Sequence, residues 1–123
     1  GAVGVSMRMM TALLPLAAFL AAPALADAAE RVGHYYLRGV METGSELLLR
    51  ADGRFQWYLV YGALDLFAEG RWQEKDGVVL LTAERTKDVP EPGFQTLALT
   101  IKDRALVPPD GRGAYVRPSD EKD

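Results

Sequence analysis

From residue 33 onward the chain alternates short apolar runs with polar turn residues, and no long stretch has the period of a helix. The runs are rich in Val, Leu, Tyr and Thr, and Gly, Asp and Pro separate them. This pattern predicts an all-β fold, an antiparallel meander of seven or eight strands that forms a small barrel or half-barrel. The predicted strands are 34–41, 45–50, 54–61, 64–74, 78–85, 95–102, 104–107 and 113–117.

The clearest strand pairing lies in FQWYLVYGALDLFAEGRW, residues 55–72. In its second half every other residue, from Leu64 to Trp72, is apolar or glycine, which is typical of a strand with one dry face. Gly62 suits the first position of a type II′ turn between the two halves. That turn predicts the pairs Tyr61–Leu64, Leu59–Leu66, Trp57–Ala68 and Phe55–Gly70.

The preceding hairpin, ELLLRADGRFQW, allows two registers. A two-residue Asp–Gly loop would bury Arg50, whereas a type I turn with Gly53 as a left-handed bulge residue keeps the buried face apolar. A slip of one residue moves a whole strand to the opposite face, so we choose the bulge. The register of the next hairpin stays open, because residues 78–81 are all apolar. The chosen pairs are Leu49–Phe55 and Leu47–Trp57.

The two hairpins together predict the core of the domain. Their dry faces point to one interior. In a barrel of this few residues, side chains fill the interior and leave little room for a cavity. The predicted core residues are Phe55, Trp57, Leu59, Tyr61, Trp72, Leu47, Leu49, Leu64 and Leu66.

The same registers place arginines and aromatic rings on the outer face. Tyr58 lies opposite Phe67, and Arg54 lies opposite Arg50 on one side and Arg71 on the other. Facing like charges destabilise a sheet by roughly 0.2–1 kcal/mol per pair, so this row suggests either compensation or use. Arginine beside aromatic rings is typical of interaction hot spots, and arginine binds planar anions. We call these five residues the outer patch and predict that it binds a partner.

An ordinary protein surface is the alternative interpretation of the outer patch. Glu46, Glu69 and Gln56 lie close enough to neutralise the arginine row, and single exposed apolar residues are common. The loop 86–95 or the N-terminal segment could also cover the two aromatic rings.

The N-terminal segment has the pattern of a signal peptide. Arg8 precedes an apolar run from Leu13 to Leu25, which closes on the small-x-small triplet Ala24-Leu25-Ala26. The pattern predicts export to the periplasm or the extracellular space, with membrane contact only through this segment before its cleavage. The predicted division is an upstream remnant and signal peptide over 1–26, one β domain over 27–118 and a frayed polar tail over 119–123.

Composition removes several classes of function. There is no cysteine, which excludes disulfides and thiolate metal sites, and one histidine is too few for a conventional zinc site. Without Arg8 the chain has 13 basic and 17 acidic side chains, a net charge of −4 that disfavours nucleic acid as a partner. No glycine-rich phosphate loop opens a helix. We therefore predict no metal and no cofactor.

Side chains suited to catalysis are sparse. His34 is the only histidine, and Ser45 and Ser119, the serines beyond residue 26, fall in predicted turn or tail positions. Carboxylate pairs such as Asp65 and Glu69 share the outer face of one strand, where solvated charge is the default interpretation. We predict that the protein is not an enzyme.

A signal peptide followed by LLLRADGRF, GRW and DGVVLL resembles small secreted bacterial β-proteins that are distantly similar to calycin or lipocalin-like barrels. The resemblance covers roughly residues 33–85 and implies a barrel or half-barrel. We predict an exported, non-catalytic binding module whose outer patch binds another protein or an anionic envelope component. The alternatives are a structural subunit of a larger envelope assembly and, third, a small hydrolase.

Overall fold

The computed structural model of the protein describes residues 28–120, so the predicted signal peptide and residues 121–123 lie outside the described residues. No helix among residues 28–120 is long and apolar enough to cross a membrane. The strands are β1 (Gly33–Arg38), β2 (Thr43–Leu49), β3 (Arg54–Tyr61), β4 (Leu64–Lys75), β5 (Val78–Ala83), β6 (Thr96–Lys102), β7 (Ala105–Val107) and β8 (Ala114–Val116), and a 3₁₀ turn (Pro118–Asp120) follows them.

The eight strands form a closed antiparallel barrel, which confirms the predicted meander and decides between barrel and half-barrel. Each strand pairs with its neighbours in sequence, and β1 closes the cylinder against β8 through pairs such as Leu37–Tyr115. Because the strands alternate in direction, successive connections lie at opposite ends of the barrel. The closed end carries connections 50–53, 76–77 and 103–104 and the 3₁₀ turn, and the open end carries connections 39–42, 62–63, 84–95 and 108–113.

Both predicted hairpin registers are confirmed. The turn geometry explains why: Gly53 has a φ of 83°, and its N–H donates to the Arg50 carbonyl at 3.1 Å, as expected for the bulged turn. Gly62 has a φ of 59° while Ala63 does not take a positive φ, as a type II′ turn requires. The observed pairs include Leu49–Phe55, Leu47–Trp57, Phe55–Gly70, Trp57–Ala68, Leu59–Leu66 and Tyr61–Leu64.

Inward-facing side chains fill the middle of the barrel and its closed end. The buried apolar residues are Tyr35, Leu47, Leu49, Phe55, Trp57, Ala68, Trp72, Val79, Leu81, Leu99, Leu106 and Tyr115. The prediction was wrong for Tyr61 and Leu64, which are 56% and 49% exposed. They flank the β3–β4 turn at the open end of the barrel.

The closed end continues past the predicted domain boundary. Asp120, which falls in the predicted tail, accepts hydrogen bonds from Arg104 Nε at 3.0 Å and Arg117 Nε at 3.1 Å. An ion pair therefore ties the 3₁₀ turn to Arg104 in the 103–104 connection, and a second joins it to Arg117, which directly follows β8.

Candidate functional site

The arginines of the outer patch are paired with carboxylates. Arg54 lies opposite Arg71, as predicted, and Glu84 binds both of them, with N–O distances of 2.9 Å and 3.3 Å. Arg50 lies just beyond the end of β2 and pairs with Asp52 at 3.1 Å. Two carboxylates thus compensate three positive charges within this small area.

The compensating carboxylates differ from those that the sequence suggested. Glu84 is the first residue of the 84–95 loop, and its N–H donates to the Glu69 carbonyl at 2.9 Å, which holds it beside β4. The hydrogen bond from Arg54 is the main cause that holds the pKa of Glu84 below its usual range, and the hydrogen bond and charge of Arg71 add to it. Ionised Glu84 therefore explains how two facing arginines are tolerated.

The two aromatic rings of the outer patch differ in exposure, since Phe67 is exposed and Tyr58 is only partly exposed. Tyr58 lies opposite Phe67, as predicted, and the Phe67 side chain is 52% exposed. The 84–95 loop touches this strand where the Gly93 N–H donates to the Phe67 carbonyl at 2.7 Å. It binds the backbone of β4 and leaves the Phe67 ring half exposed.

Glu46 joins two other groups beside these rings. The Tyr58 hydroxyl donates to one carboxylate oxygen, and His34 Nε2 lies 2.6 Å from the other. The hydrogen bond to Glu46 raises the pKa of Tyr58 above its usual value. Glu46 therefore serves this network and not the arginines. Within residues 28–120, no group of three or more histidine, aspartate or glutamate side chains is placed to hold a metal ion.

A cavity of about 600 Å³, which we call the cup, lies at the open end of the barrel. Its wall is mostly aliphatic and aromatic, and two charged residues contribute to it. The lining residues are Leu37, Val40, Thr43, Trp57, Leu59, Tyr61, Leu64, Leu97, Pro108, Pro109, Asp110, Arg112 and Tyr115.

Strand β3 shows how deep the cup reaches. Its alternate residues Tyr61, Leu59 and Trp57 all line the cup, and the exposed fraction falls from 56% at Tyr61 to 8% at Trp57. Below them, Phe55 is 1% exposed and belongs to the filled core. A strand rise of about 3.3 Å per residue places Tyr61 and Trp57 ~13 Å apart along the strand, which corresponds to about 10 Å along the barrel axis for the usual strand tilt of 35–45°. The cup is therefore a real depression and not a groove between surface side chains.

A chain of buried hydrogen bonds ties the floor of the cup to the barrel wall. Trp57 Nε1 donates to Tyr115 Oη at 3.0 Å, Tyr115 Oη lies 2.7 Å from Ser45 Oγ, and Ser45 Oγ donates to the Tyr58 carbonyl at 2.6 Å. Two of these residues, Trp57 and Tyr115, also line the cup. The chain satisfies polar groups that would otherwise be costly to bury.

Sequence reasoning missed the cup because it treated the whole interior as filled. The 84–95 loop does fill one side, where the Phe94 ring lies 6.0 Å from Phe55 and 4.9 Å from Trp57, centroid to centroid. Strands β7 and β8, however, have only three residues each, and the 108–113 connection replaces a longer strand at the open end. Pro108-Pro109, which ends β7 early, is the sequence signal that pointed to this gap.

Comparison of the chain with protein families, with curated proteins and with solved structures finds no match. The function is therefore inferred from the geometry of the barrel itself. Two surfaces enter that inference, the cup and the outer patch.

Proposed function

We propose that this protein is a non-catalytic binding protein that holds a small molecule with an apolar body in the cup. The cavity of about 600 Å³ supports the proposal, because it falls in the size range of small-molecule sites and has their usual combination of apolar wall and few polar groups. Each Å² of apolar ligand surface that the cup removes from water contributes roughly 25 cal/mol to the free energy of binding.

The cup supports this function better than the arginines of the outer patch do. Arg54 and Arg71 share Glu84, so an anionic ligand would have to compete with a carboxylate already in place. The walls of the cup, in contrast, offer apolar surface that a ligand would cover.

The proposal is tested with the fluorescent probe N-phenyl-1-naphthylamine and a pair of neighbouring substitutions in β3. Leu59 lines the cup, so Leu59→Glu places a carboxylate in the apolar wall and should weaken probe binding by about tenfold or more. Val60 follows it in the strand and faces the other way, so Val60→Glu should leave the affinity within about twofold. Thermal unfolding confirms that both variants fold. Absence of probe binding by the parent protein, or equal effects of the two substitutions, would contradict the proposal.

Export to the periplasm or the extracellular space is part of the proposal. The run from Leu13 to Leu25 and the triplet that ends at Ala26 support it. The intact mass of the protein from its native source should correspond to cleavage after Ala26.

A second candidate function is the binding of another protein or an anionic envelope component at the outer patch. The observation that favours it is Phe67, a large apolar side chain that is 52% exposed and lies opposite Tyr58 on the outer face that also carries Arg54 and Arg71. If this ring is a hot spot, Phe67→Asp should weaken a partner captured from envelope extract by about 30-fold, as loss of a hot-spot residue does. Thr100→Asp, on an exposed position of β6, is the matched control. A partner retained equally by both variants would exclude the outer patch.

A further inference from the structure

Two turns at the open end of the barrel expose apolar side chains, whereas the turns at the closed end are polar. Each closed-end connection contains an aspartate, a common turn residue. These are Asp52, Asp76 and Asp103. At the open end, the 62–63 connection consists of glycine and alanine and lies between Tyr61 and Leu64, and the 39–42 connection exposes Met41.

Three large apolar side chains, Met41, Tyr61 and Leu64, form what we call the rim of the cup. They are 84%, 56% and 49% exposed, and only four large apolar side chains are exposed within residues 28–120. Tyr61 pairs with Leu64 across β3 and β4 and shares a surface depression with Met41. Tyr61 and Leu64 also line the cup, so apolar surface continues from the exposed rim into the cavity.

The size of the rim favours a lipid surface over a protein partner. A stable protein interface engages about 20–30 residues on each side, and the rim has three. A bilayer needs no complementary shape, because every apolar side chain that leaves water for lipid contributes by itself. Tyrosine, whose ring is apolar and whose hydroxyl can stay hydrated, is typical of the membrane–water interface.

The charge of the open end favours neutral lipid over anionic lipid. Its four connections contain five acidic and three basic residues, a net charge of −2. Anionic lipids attract segments with an excess of lysine and arginine, which these connections do not have. The attraction to a bilayer therefore comes from the apolar rim.

We propose that the open end of the barrel docks on a bilayer of zwitterionic phospholipid through the rim and exchanges its apolar ligand there. This inference rests on the proposed function of the cup, for which the bilayer is the source of the ligand. The cup opens where the rim enters the lipid, so the ligand moves between them without exposing its whole apolar surface to water. The sequence alone predicts membrane contact only through the N-terminal segment, so docking through the barrel is a separate contact.

The absence of cysteine allows a single fluorescent label at either end of the barrel. Ala63→Cys places the environment-sensitive dye NBD in the rim, and Ala51→Cys places it in a closed-end turn, both at exposed alanines. Each labelled full chain is titrated with phosphatidylcholine vesicles. We expect a shift of the emission to shorter wavelength for the label at 63 and no shift for the label at 51. The N-terminal segment is common to both proteins, so equal shifts, or none, would overturn the proposal.

A substitution in the rim separates docking from ligand binding. Met41→Asp, added to the protein labelled at 63, should raise the lipid concentration at half response about tenfold. Met41 belongs to the rim but does not line the cup, so the affinity for N-phenyl-1-naphthylamine should change by less than about twofold. Ala51→Asp at the closed end is the control and should change both values by less than about twofold.

The outcomes distinguish this inference from the proposed function. Probe binding without a lipid response at position 63 would overturn the docking and leave the cup as a binding site. A lipid response without probe binding would overturn the proposed function and, with it, the exchange of a ligand at the membrane. Vesicles of phosphatidylglycerol should bind more weakly than those of phosphatidylcholine, and tighter binding to them would show that charge and not the rim drives the contact.

Discussion

Replacing Gly70 with alanine is expected to lower the free energy of unfolding by about 3 kcal/mol, the upper range for overpacking a filled site. A Cβ at position 70 would lie 2.1 Å from the Thr82 carbonyl oxygen and 3.0 Å from Ala83 Cα. Both atoms belong to the backbone of β5, which pairs with β4 at this point, so neither can move without opening the ladder. Urea unfolding followed by tryptophan fluorescence measures the loss.

Gly44→Ala is the matched control for this substitution. Gly44 also lies in a strand, but its added Cβ would lie 3.1 Å from Val60 Cγ2, the end of a side chain that can shift. We expect a change of less than about 1 kcal/mol, because alanine also reduces the entropy of the unfolded chain. Equal effects at the two positions would show that the backbone approach at Gly70 is not what requires glycine there.

The pairing of Gly70 could be predicted from the sequence. The close backbone approach that requires a glycine at this position could not. The requirement for one dry face determines the register of β3 against β4, and this places Phe55 opposite Gly70. The close approach of the β5 backbone depends on how sharply the sheet coils, and no alternation of apolar residues reports that. The local strand pairing could be predicted because the choice of register decides only which of the two faces of a strand is buried.

The outer patch shows the same division between local and long-range information. The pairs Arg54–Arg71 and Tyr58–Phe67 follow from the turn at Gly62 and were predicted. Glu84 was not, because its place beside the two arginines depends on the path of a twelve-residue connection. Residues in a loop do not alternate between two faces as strand residues do, so the sequence does not indicate which groups a loop carboxylate contacts.

Pro108-Pro109 indicates that β7 is short, but the cup itself could not be predicted because its wall is assembled from several strands and connections of the barrel. Alternation identified Tyr61 and Leu64 as inward-facing, but burial at that level needs a partner across the barrel. The short strands β7 and β8 provide none, so the inward-facing residues near the β3–β4 turn line a cavity instead of a core. Strand length at the far side of the barrel therefore decides whether the same pattern produces packing or a binding site.

At the closed end, the largely shielded side chain of Arg117 joins three segments of the chain. The Arg117 side chain is 11% exposed, and its guanidinium carbon lies 5.0 Å from the ring centroid of the buried Tyr35. One nitrogen donates to the Val32 carbonyl at 3.3 Å and Nε donates to Asp120 at 3.1 Å. These contacts join the segment before β1, the ring of β1 and the 3₁₀ turn after β8, which closes this end of the barrel.

Arg117→Met should therefore destabilise the protein by roughly 2 kcal/mol, the range found when hydrogen bonds to a charged group that is largely shielded from water are lost. Methionine keeps much of the apolar packing and loses the charge, the hydrogen bonds and the cation–π contact. Arg104→Met is the control: Arg104 binds the same carboxylate, but its side chain is 66% exposed, so a loss of less than about 1 kcal/mol is expected. Urea unfolding at neutral pH measures both, and equal losses would contradict a special role for the buried arginine.

The pH dependence of stability separates the contribution of the Arg117–Asp120 ion pair from that of the other contacts of Arg117. Burial tends to raise the pKa of Asp120, but the hydrogen bond from Arg117 and the charges of Arg104 and Arg117 outweigh it and hold that pKa below its usual value. A carboxylate with a lowered pKa in the folded state stabilises the fold above its unfolded pKa, near 3.8, and this contribution is lost as the pH falls through the folded value. The difference in stability between the parent protein and Arg117→Met should therefore narrow below about pH 4. It should not vanish, because the contacts with Tyr35 and Val32 do not depend on the ionisation of Asp120. A difference that stays constant across this range would show that Arg117 stabilises the closed end without a contribution from its ion pair with Asp120.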